Sequence, residues 1–401
     1  MRNLLTTSIL ATALTVGSVA PVSAELRLGA LSPTTGDLQL YGNFTLNGIR
    51  LAVEEINAAG GVLGAPIRLI VGDTQTNPQA GVDAAQRLVS IEGVHAMIGA
   101  LASGVTIPVA RSVSRVAGVA QISNASTSPV ISTLDDNDFL FRTVPSDAYQ
   151  GVALAQIAMD EGYRRLAVLH ENNDYGLGLA QSFVAAYRER GGVVPQIVTF
   201  EPNVAAYRGE LLRASSGNPE ALVLIAYPEN GQTIIRQAIE GGFFEKFVFT
   251  DGLRSQDLVN NIGARFLNGT VGSVPRAMED SQSAAYFRNA YEAKFGEFPP
   301  QPYMDTAYDA VYLIALATQA AGSTERVAIR DHLRQVANPP GITVGPGEWA
   351  RAVELLASGE TVNYEGASGS VDFDENGDVP GTFAHWRIED GAIVDLRVFV
   401  P

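Results

Sequence analysis

The chain has 401 residues, long for one domain and ordinary for two. Its net charge of −16 sets nucleic acid and anionic lipid aside as partners, because both are held by a basic face. There is no cysteine, which excludes disulfides and thiolate metal sites, while 46% hydrophobic residues can fill a complete core.

The first 24 residues read as a cleavable signal peptide. Arg2 supplies a thin positive region, Leu4 to Val19 is mostly small and apolar, and Pro21-Val22-Ser23-Ala24 carries small residues where a signal peptidase reads. Cleavage is expected after Ala24. With no cysteine there, a lipid anchor at that point is excluded. No later stretch is long and apolar enough to span a membrane. The expectation is an exported protein, free in a bacterial-type periplasm.

Leu26 to Leu31 is the first expected strand, followed by a loop from Ser32 to Tyr41 and a helix faced by Leu46, Ile49, Val53 and Ile56. Gly60-Gly61 stops that helix. Ile67 to Val71 is the second strand, and Asn77-Pro78 signals a helix start. Ala96 to Ile98 and Val119 to Ile122 read as buried strands, with a helix between them that starts near Gly104 and shows Val105, Val109 and Val113 on one face. Both strands end in loops of small hydroxyl residues, the first at Ser103 and the second over Ser123 to Ser128. Phe139 to Phe141 is extended.

After Arg142-Thr143-Val144-Pro145 the alternation begins again. Asp147 and Gln150 have capping-box spacing before a helix that runs to Gly162. Strands follow at Leu166 to Leu169, Val194 to Thr199, Ala221 to Ile225 and Phe247 to Thr250, each followed by a helical segment, the first over Tyr175 to Arg190. Alternation of this kind specifies α/β architecture with parallel doubly wound sheets, here in two lobes. From Val274 helices dominate, over Ser281 to Phe295, Tyr303 to Ala321, Glu325 to Val336 and Glu348 to Ser358. From Ser370 the tail is strand-like, with Asp390-Gly391 as a hairpin turn. A helical block after the second lobe suggests a chain that returns to the first, so the lobes share a hinge.

Several catalytic patterns fail on inspection. Gly99 to Gly104 spaces two glycines as a phosphate loop does, but Val105 stands where lysine is required. Gln181 replaces the third glycine of a dinucleotide fingerprint after Gly176-Leu177-Gly178. Gly366-Ala367-Ser368-Gly369-Ser370 misses a nucleophile elbow. Asp372-Asp374-Asn376-Gly377 begins like a calcium loop, yet Phe383 occupies the closing position, so a turn is the better reading. His95, His170, His332 and His385 lack ligand spacing. No catalytic residue, metal or cofactor is expected.

What remains is a binding pattern. In an open α/β sheet, loops at the carboxyl edge form the ligand crevice. Ser103 ahead of a helix, with Ser126 and Thr127, reads as a seat for a small carboxylate; a helix cap and a plain turn are the alternatives. Tyr41, Tyr175 and Tyr227 stand in strand-end loops as apolar walls with polar tips, or as packing. Asp251 follows the strand ending at Thr250. It is a turn or helix-cap residue, or, facing the hydroxyl loops, it makes a dipolar site suited to a zwitterion.

These fragments together resemble the leucine/isoleucine/valine-binding branch of type I periplasmic binding proteins, the receptors of ABC importers for branched-chain and related amino acids. The resemblance covers residues 25 to 401. It rests on Asn57-Ala58-Ala59-Gly60-Gly61-Val62, Ile98-Gly99 with Ser103, Ser126-Thr127-Ser128-Pro129, Phe141-Arg142-Thr143, Asp174-Tyr175-Gly176, Tyr227-Pro228-Glu229-Asn230-Gly231-Gln232 and Phe373-Asp374-Glu375-Asn376-Gly377-Asp378. It implies that Ser103 and Thr127 hold the ligand carboxylate with backbone groups at Ser126. Tyr41 walls the side-chain pocket, Tyr175 and Tyr227 close from the other lobe, and Asp251 meets the α-ammonium. It also implies three crossings, near Val144, Val274 and Pro380, with residues 25–143 and 274–380 in one lobe and 144–273 and 381–401 in the other. The expected partners are a small amino acid or related amide, captured by lobe closure in Venus-flytrap fashion, and an ABC permease of the inner membrane, with the receptor itself a monomer. A sensor that reports to a membrane receptor, or a secreted enzyme on the same fold, are the alternatives.

Overall fold

The computed structural model describes residues 25–278 and 280–401; the expected signal peptide and its cleavage after Ala24 lie outside the described residues. β1 (Arg27–Ser32), β2 (Arg68–Asp73), β3 (Ala96–Gly99), β4 (Ala120–Ser123) and β5 (Leu140–Arg142) form a parallel sheet in the order β2-β1-β3-β4-β5. β3 and β4 are buried along their whole length. This is why they read as unbroken apolar runs rather than alternating ones. The helix after β3 begins at Ser103, accommodates Pro108 by passing into a π turn over Ala110–Ser114, and ends at Gly118 in the left-handed region.

The second sheet starts with β6 (Leu166–Glu171), β7 (Ile197–Phe200), β8 (Ala221–Ile225), β9 (Phe247–Phe249) and β10 (Val271–Pro275). β7 begins three residues after the expected Val194; ahead of it Val193 forms an isolated bridge to Arg165 and the Gln196 carbonyl accepts from the Val168 N–H at 3.0 Å. The helical block then packs onto the first sheet. Helix Met304–Ala321 is buried over most of its length against helix Gln39–Ala58. The two approach so closely that a Cβ on Gly48 would lie 2.3 Å from the Met304 carbonyl oxygen. A small sheet of β11 (Ile342–Val344), β12 (Val362–Gly366) and β13 (Gly369–Ser370) completes this lobe.

β14 (Phe383–Glu389) and β15 (Ala392–Phe399) return to the second sheet as an antiparallel hairpin, giving the order β15-β14-β10-β9-β8-β6-β7. Asp390 and Gly391 turn it, both with positive φ. Residues 371–382 are not strand as expected. Asp374 there accepts hydrogen bonds from the N–H groups of Asn376 and Asp378, a turn, and Asp378 is drawn inward by Arg142 at 2.6 Å.

The fold is two α/β lobes joined by three crossings. Each crossing carries a proline, and Pro145, Pro275 and Pro380 line one small space together. A Cβ on Gly381 would come within 2.3 Å of the Pro145 ring, so two crossings touch there.

Candidate functional site

The strand order reverses between β1 and β3 in one sheet and between β6 and β8 in the other. These are the switch points where open sheets leave room for a ligand. The loops from both meet around a narrow cavity between the lobes, with about 20 Å³ of free space. Leu38 and Tyr41 come from beyond β1, Leu101 and Ser103 from beyond β3, and Ala125 from beyond β4; Tyr175, Tyr227 and Asp251 follow β6, β8 and β9. The cavity has room for about one water molecule, so the lobes stand closed here and a metabolite is admitted only as they part. A larger hollow beside the crossings, lined by Arg276, Phe287 and Arg288 among others, is open and lies away from the strand ends.

Five of the seven residues expected from sequence therefore line one space: Tyr41, Ser103, Tyr175, Tyr227 and Asp251. Ser126 and Thr127 stand behind it. The Ser126 hydroxyl donates to the Leu101 carbonyl at 2.9 Å and its N–H donates to Ser123 Oγ at 3.0 Å, so it ties two loops together and offers nothing to a ligand. The Thr127 hydroxyl donates to Asp147 Oδ2 at 2.9 Å. Ser103 differs from both. Its Oγ accepts from the Ser128 N–H at 3.2 Å, and its own proton is free to donate. The backbone N–H groups of Ser103, Gly104 and Thr127 take no partner among the described residues.

The opposite wall is acidic. Asp251 opens a 3₁₀ turn, Asp251–Leu253, beyond β9 and is 4% exposed. Its Oδ1 accepts from Gln150 Nε2 at 2.7 Å and the Tyr175 hydroxyl at 2.9 Å; its Oδ2 accepts from the Tyr303 hydroxyl at 2.6 Å. These neutral donors orient the carboxylate without neutralising it. Burial raises its pKa and the hydrogen bonds offset part of that rise. Asp147 is wholly buried, and its Oδ1 has no partner. Burial and the nearby Asp251 charge hold its carboxyl well above the usual range. Two buried acids thus share a site with no cation between them. The nearest candidates are committed elsewhere, Arg142 to Asp378 and Arg254 to Asp395.

Asp147, Gln150 and Tyr303 escape the sequence reading. Asp147 and Gln150 stand at a capping-box spacing, but Ser146 is the actual cap, with its hydroxyl accepting from the Ala148 N–H at 3.2 Å. That frees both side chains to face the cleft. Tyr303 reads as the first residue of a helix; it is the residue before, at φ +79°, and sends its hydroxyl across to the other lobe. The run Pro299-Pro300-Gln301-Pro302 ahead of it is the one local sign of a loop delivering a side chain.

Aromatic walls close the space. Tyr175 stacks on Tyr227 with centroids 5.3 Å apart and planes 8° from parallel. From the other lobe the Tyr41 hydroxyl donates to the carbonyls of Gly252 at 3.3 Å and Arg254 at 3.1 Å. Among the described residues no group of three or more His, Cys, Asp or Glu side chains is arranged to hold a metal ion.

This two-lobed cleft with hydroxyls on one wall and an acid on the other has known counterparts. The sequence profile of the family described as "Periplasmic binding protein" matches residues 25–376. The chain belongs to that family, on its leucine/isoleucine/valine-binding branch. It is 30% identical to the Leu/Ile/Val-binding protein homolog 1 of Brucella abortus, over 92% of each chain. It is 28% identical to the chemotactic signal transduction system substrate-binding protein BasB of Halobacterium salinarum, over 89% of this chain and 83% of that one. Among solved structures, the leucine binding protein LivK of Thermotoga maritima superposes with a TM-score of 0.80 at 26% identity, covering 94% of this chain and 99% of that one. As a periplasmic binding protein the chain has a substrate-binding role.

Proposed function

We propose that this periplasmic binding protein captures an amino acid in the cleft by lobe closure and delivers it to an ABC importer. The carrying observation is that Ser103 and Asp251 line one small cavity from opposite lobes, with a second buried acid, Asp147, beside Asp251. Ser103 and the unpaired N–H groups beside it receive the α-carboxylate. The α-ammonium enters between Asp251 Oδ1 and the unpartnered Asp147 Oδ1. Tyr41, Tyr175, Tyr227 and Tyr303 enclose the rest of the ligand. The Thr127 hydroxyl acts through Asp147, which it holds in place, and only the Thr127 N–H is left for the ligand.

Closure follows from the division of labour between lobes. Ser103 belongs to the first lobe and Asp251 to the second, so a ligand satisfies both ends only when the lobes meet. That difference in contacts is what a ligand needs to shift the open–closed equilibrium. The chemistry is binding and release, with no turnover. Exported by a signal peptide over residues 1–24, the mature chain then works as a periplasmic monomer beside an inner-membrane permease. The test is isothermal calorimetry with the twenty common amino acids, with their amides and with benzoate. Micromolar affinity, about −8 kcal/mol, for at least one α-amino acid supports the reading. Heat with the aromatic acid alone would remove the ammonium site from it.

The likeness to BasB favours a second reading, in which the closed form reports to a membrane receptor. Ligand-stimulated ATP hydrolysis by the permease in proteoliposomes is expected of an importer and not of a sensor.

A further inference from the structure

At the mouth of the cleft, beyond Tyr227 and Leu38, lies a further set of acids. Glu171 ends β6, where strand ends face the ligand space, and is only 3% exposed. Its Oε1 accepts from Asn173 Nδ2 at 2.9 Å, and the Tyr227 N–H lies close enough to offset part of its burial, but its Oε2 has no well-aligned hydrogen bond. Asp37, in the loop after β1 of the other lobe, reaches over the gap: its Oδ2 accepts from Asn230 Nδ2 and Asn203 Nδ2, each at 3.4 Å. The charges of Asp37 and Glu171 interact across the gap, and the Asp37 carboxyl also meets that of Glu229. Closing the lobes therefore gathers three acidic side chains at one rim. No salt bridge among the described residues neutralises any of them, and no arginine or lysine lines the cavity.

Like charges brought together during closure oppose it unless something positive is brought with them. A ligand with a neutral side chain satisfies Asp147 and Asp251 through its α-ammonium and leaves this rim as it stands. A ligand with a cation at its far end fills both places. Between the two places stand the stacked rings of Tyr175 and Tyr227, whose faces also attract cations. Resting on the amino-acid reading above, we propose that the ligand carries a second cationic group at the end remote from its carboxylate, held by Glu171 with Asp37 and Glu229. The class is a diamino or guanidino acid. The orphaned Oε2 of Glu171 is the acceptor for that group, and Asp37 makes the contact conditional on closure because it arrives from the opposite lobe.

The experiment compares chain-length pairs that differ in the terminal charge. The full-length mature protein is titrated with L-ornithine, L-lysine and L-arginine, and with the uncharged L-norvaline, L-norleucine and L-citrulline; L-leucine is the reference. At least one cationic member is expected to bind ten times more tightly than its uncharged partner and than leucine. In Glu171→Gln that preference is expected to fall to threefold or less, with the uncharged ligands unaffected. Asp37→Asn, a surface change that leaves Glu171 in place, is expected to reduce it in the same direction. Leucine or norleucine binding as tightly as every cationic ligand would overturn the proposal and leave the amino-acid function standing. A preference for cations that survives both substitutions would also overturn it, by putting the second cation elsewhere. If none of the seven binds, the proposal is overturned, and the amino-acid reading is decided separately by the other common amino acids.

Discussion

Asp251 is the side chain on which the binding chemistry turns, because two phenol hydroxyls and an amide aim at it from three segments. Asp251→Ala removes the carboxylate and strands Tyr303, Tyr175 and Gln150. Loss of one partner from a buried charge pair costs about 3–5 kcal/mol, so amino-acid affinity should fall at least a hundredfold. The circular dichroism spectrum should stay that of the parent; unchanged calorimetric affinity would remove Asp251 from the site. Tyr303→Phe is gentler. It deletes one hydrogen bond to a charged group, about 1.5–3 kcal/mol, and should weaken binding roughly ten- to a hundredfold while the stacked pair Tyr175–Tyr227 remains. Sequence made Tyr41, Ser103, Tyr175, Tyr227 and Asp251 legible because each stands where a buried strand opens into a loop. It could not separate Ser126 from Ser103. Both are small hydroxyl residues in such loops, and only the tertiary carbonyl at Leu101 decides that Ser126 is already occupied. Asp147 and Gln150 were hidden for the opposite reason. A local rule explains their spacing, and the neighbour that overrides it, Ser146, differs from a turn residue only in its backbone geometry.

The elements were easier to read than their junctions. Parallel strands buried on both faces, such as β3, β4 and β8, announce themselves as apolar runs, and Asn77-Pro78 and Asp390-Gly391 act as local punctuation in the fold as in the sequence. The segment 371–382 was misread as strand because its apolar residues, Val371, Phe373 and Val379, serve a core contact and not a pleat. Its anchor is an ion pair that no local pattern shows. Arg142 is fully buried, binds Asp378 through two nitrogens at 2.6 and 2.7 Å, and donates to the carbonyl of Ser128 at 3.0 Å, so it fastens the carboxylate-seat loop to this segment. Arg142→Met leaves Asp378 without its partner and should lower stability by about 3–5 kcal/mol, seen in the urea midpoint. A midpoint within error of the parent would mean that the loop holds itself. At the helix pair, Gly48→Ala sets a methyl 2.3 Å from the Met304 carbonyl. Overpacking of this sort costs about 1–3 kcal/mol and should appear as a lower melting temperature, with some loss of ligand affinity because Tyr303, next to Met304, lines the cavity.

For the molecule as a whole, the gathering of acids between two closing lobes ties stability to pH. Burial pushes the Glu171 carboxyl from the usual 4.5 up to about 7, with Asp37 across the gap adding to the rise. Between those two values the folded chain holds a proton that the unfolded chain has released. The contribution of Glu171 to stability is therefore complete below about 4.5 and is lost as pH climbs through 7. Asp147 and Asp251, also raised, tilt the curve the same way. Of the titratable groups nearby, His170 is held below its usual value by burial and does not supply a compensating positive charge. In the ligand-free protein Glu171→Gln should melt near the parent at pH 5 and progressively above it from pH 6 to pH 8, with a residual slope left by the two aspartates. Differential scanning calorimetry at each pH, at fixed ionic strength, reads this directly. Parallel curves for parent and variant would mean that Glu171 ionises in the folded chain as freely as in the unfolded one, through solvent reaching its Oε2. A diverging pair would instead make the closed lobes a structure under electrostatic load at neutral pH. A ligand would then strengthen closure by adding contacts and by relieving repulsion, and the melting gain on saturation with a given ligand should be larger at pH 8 than at pH 5.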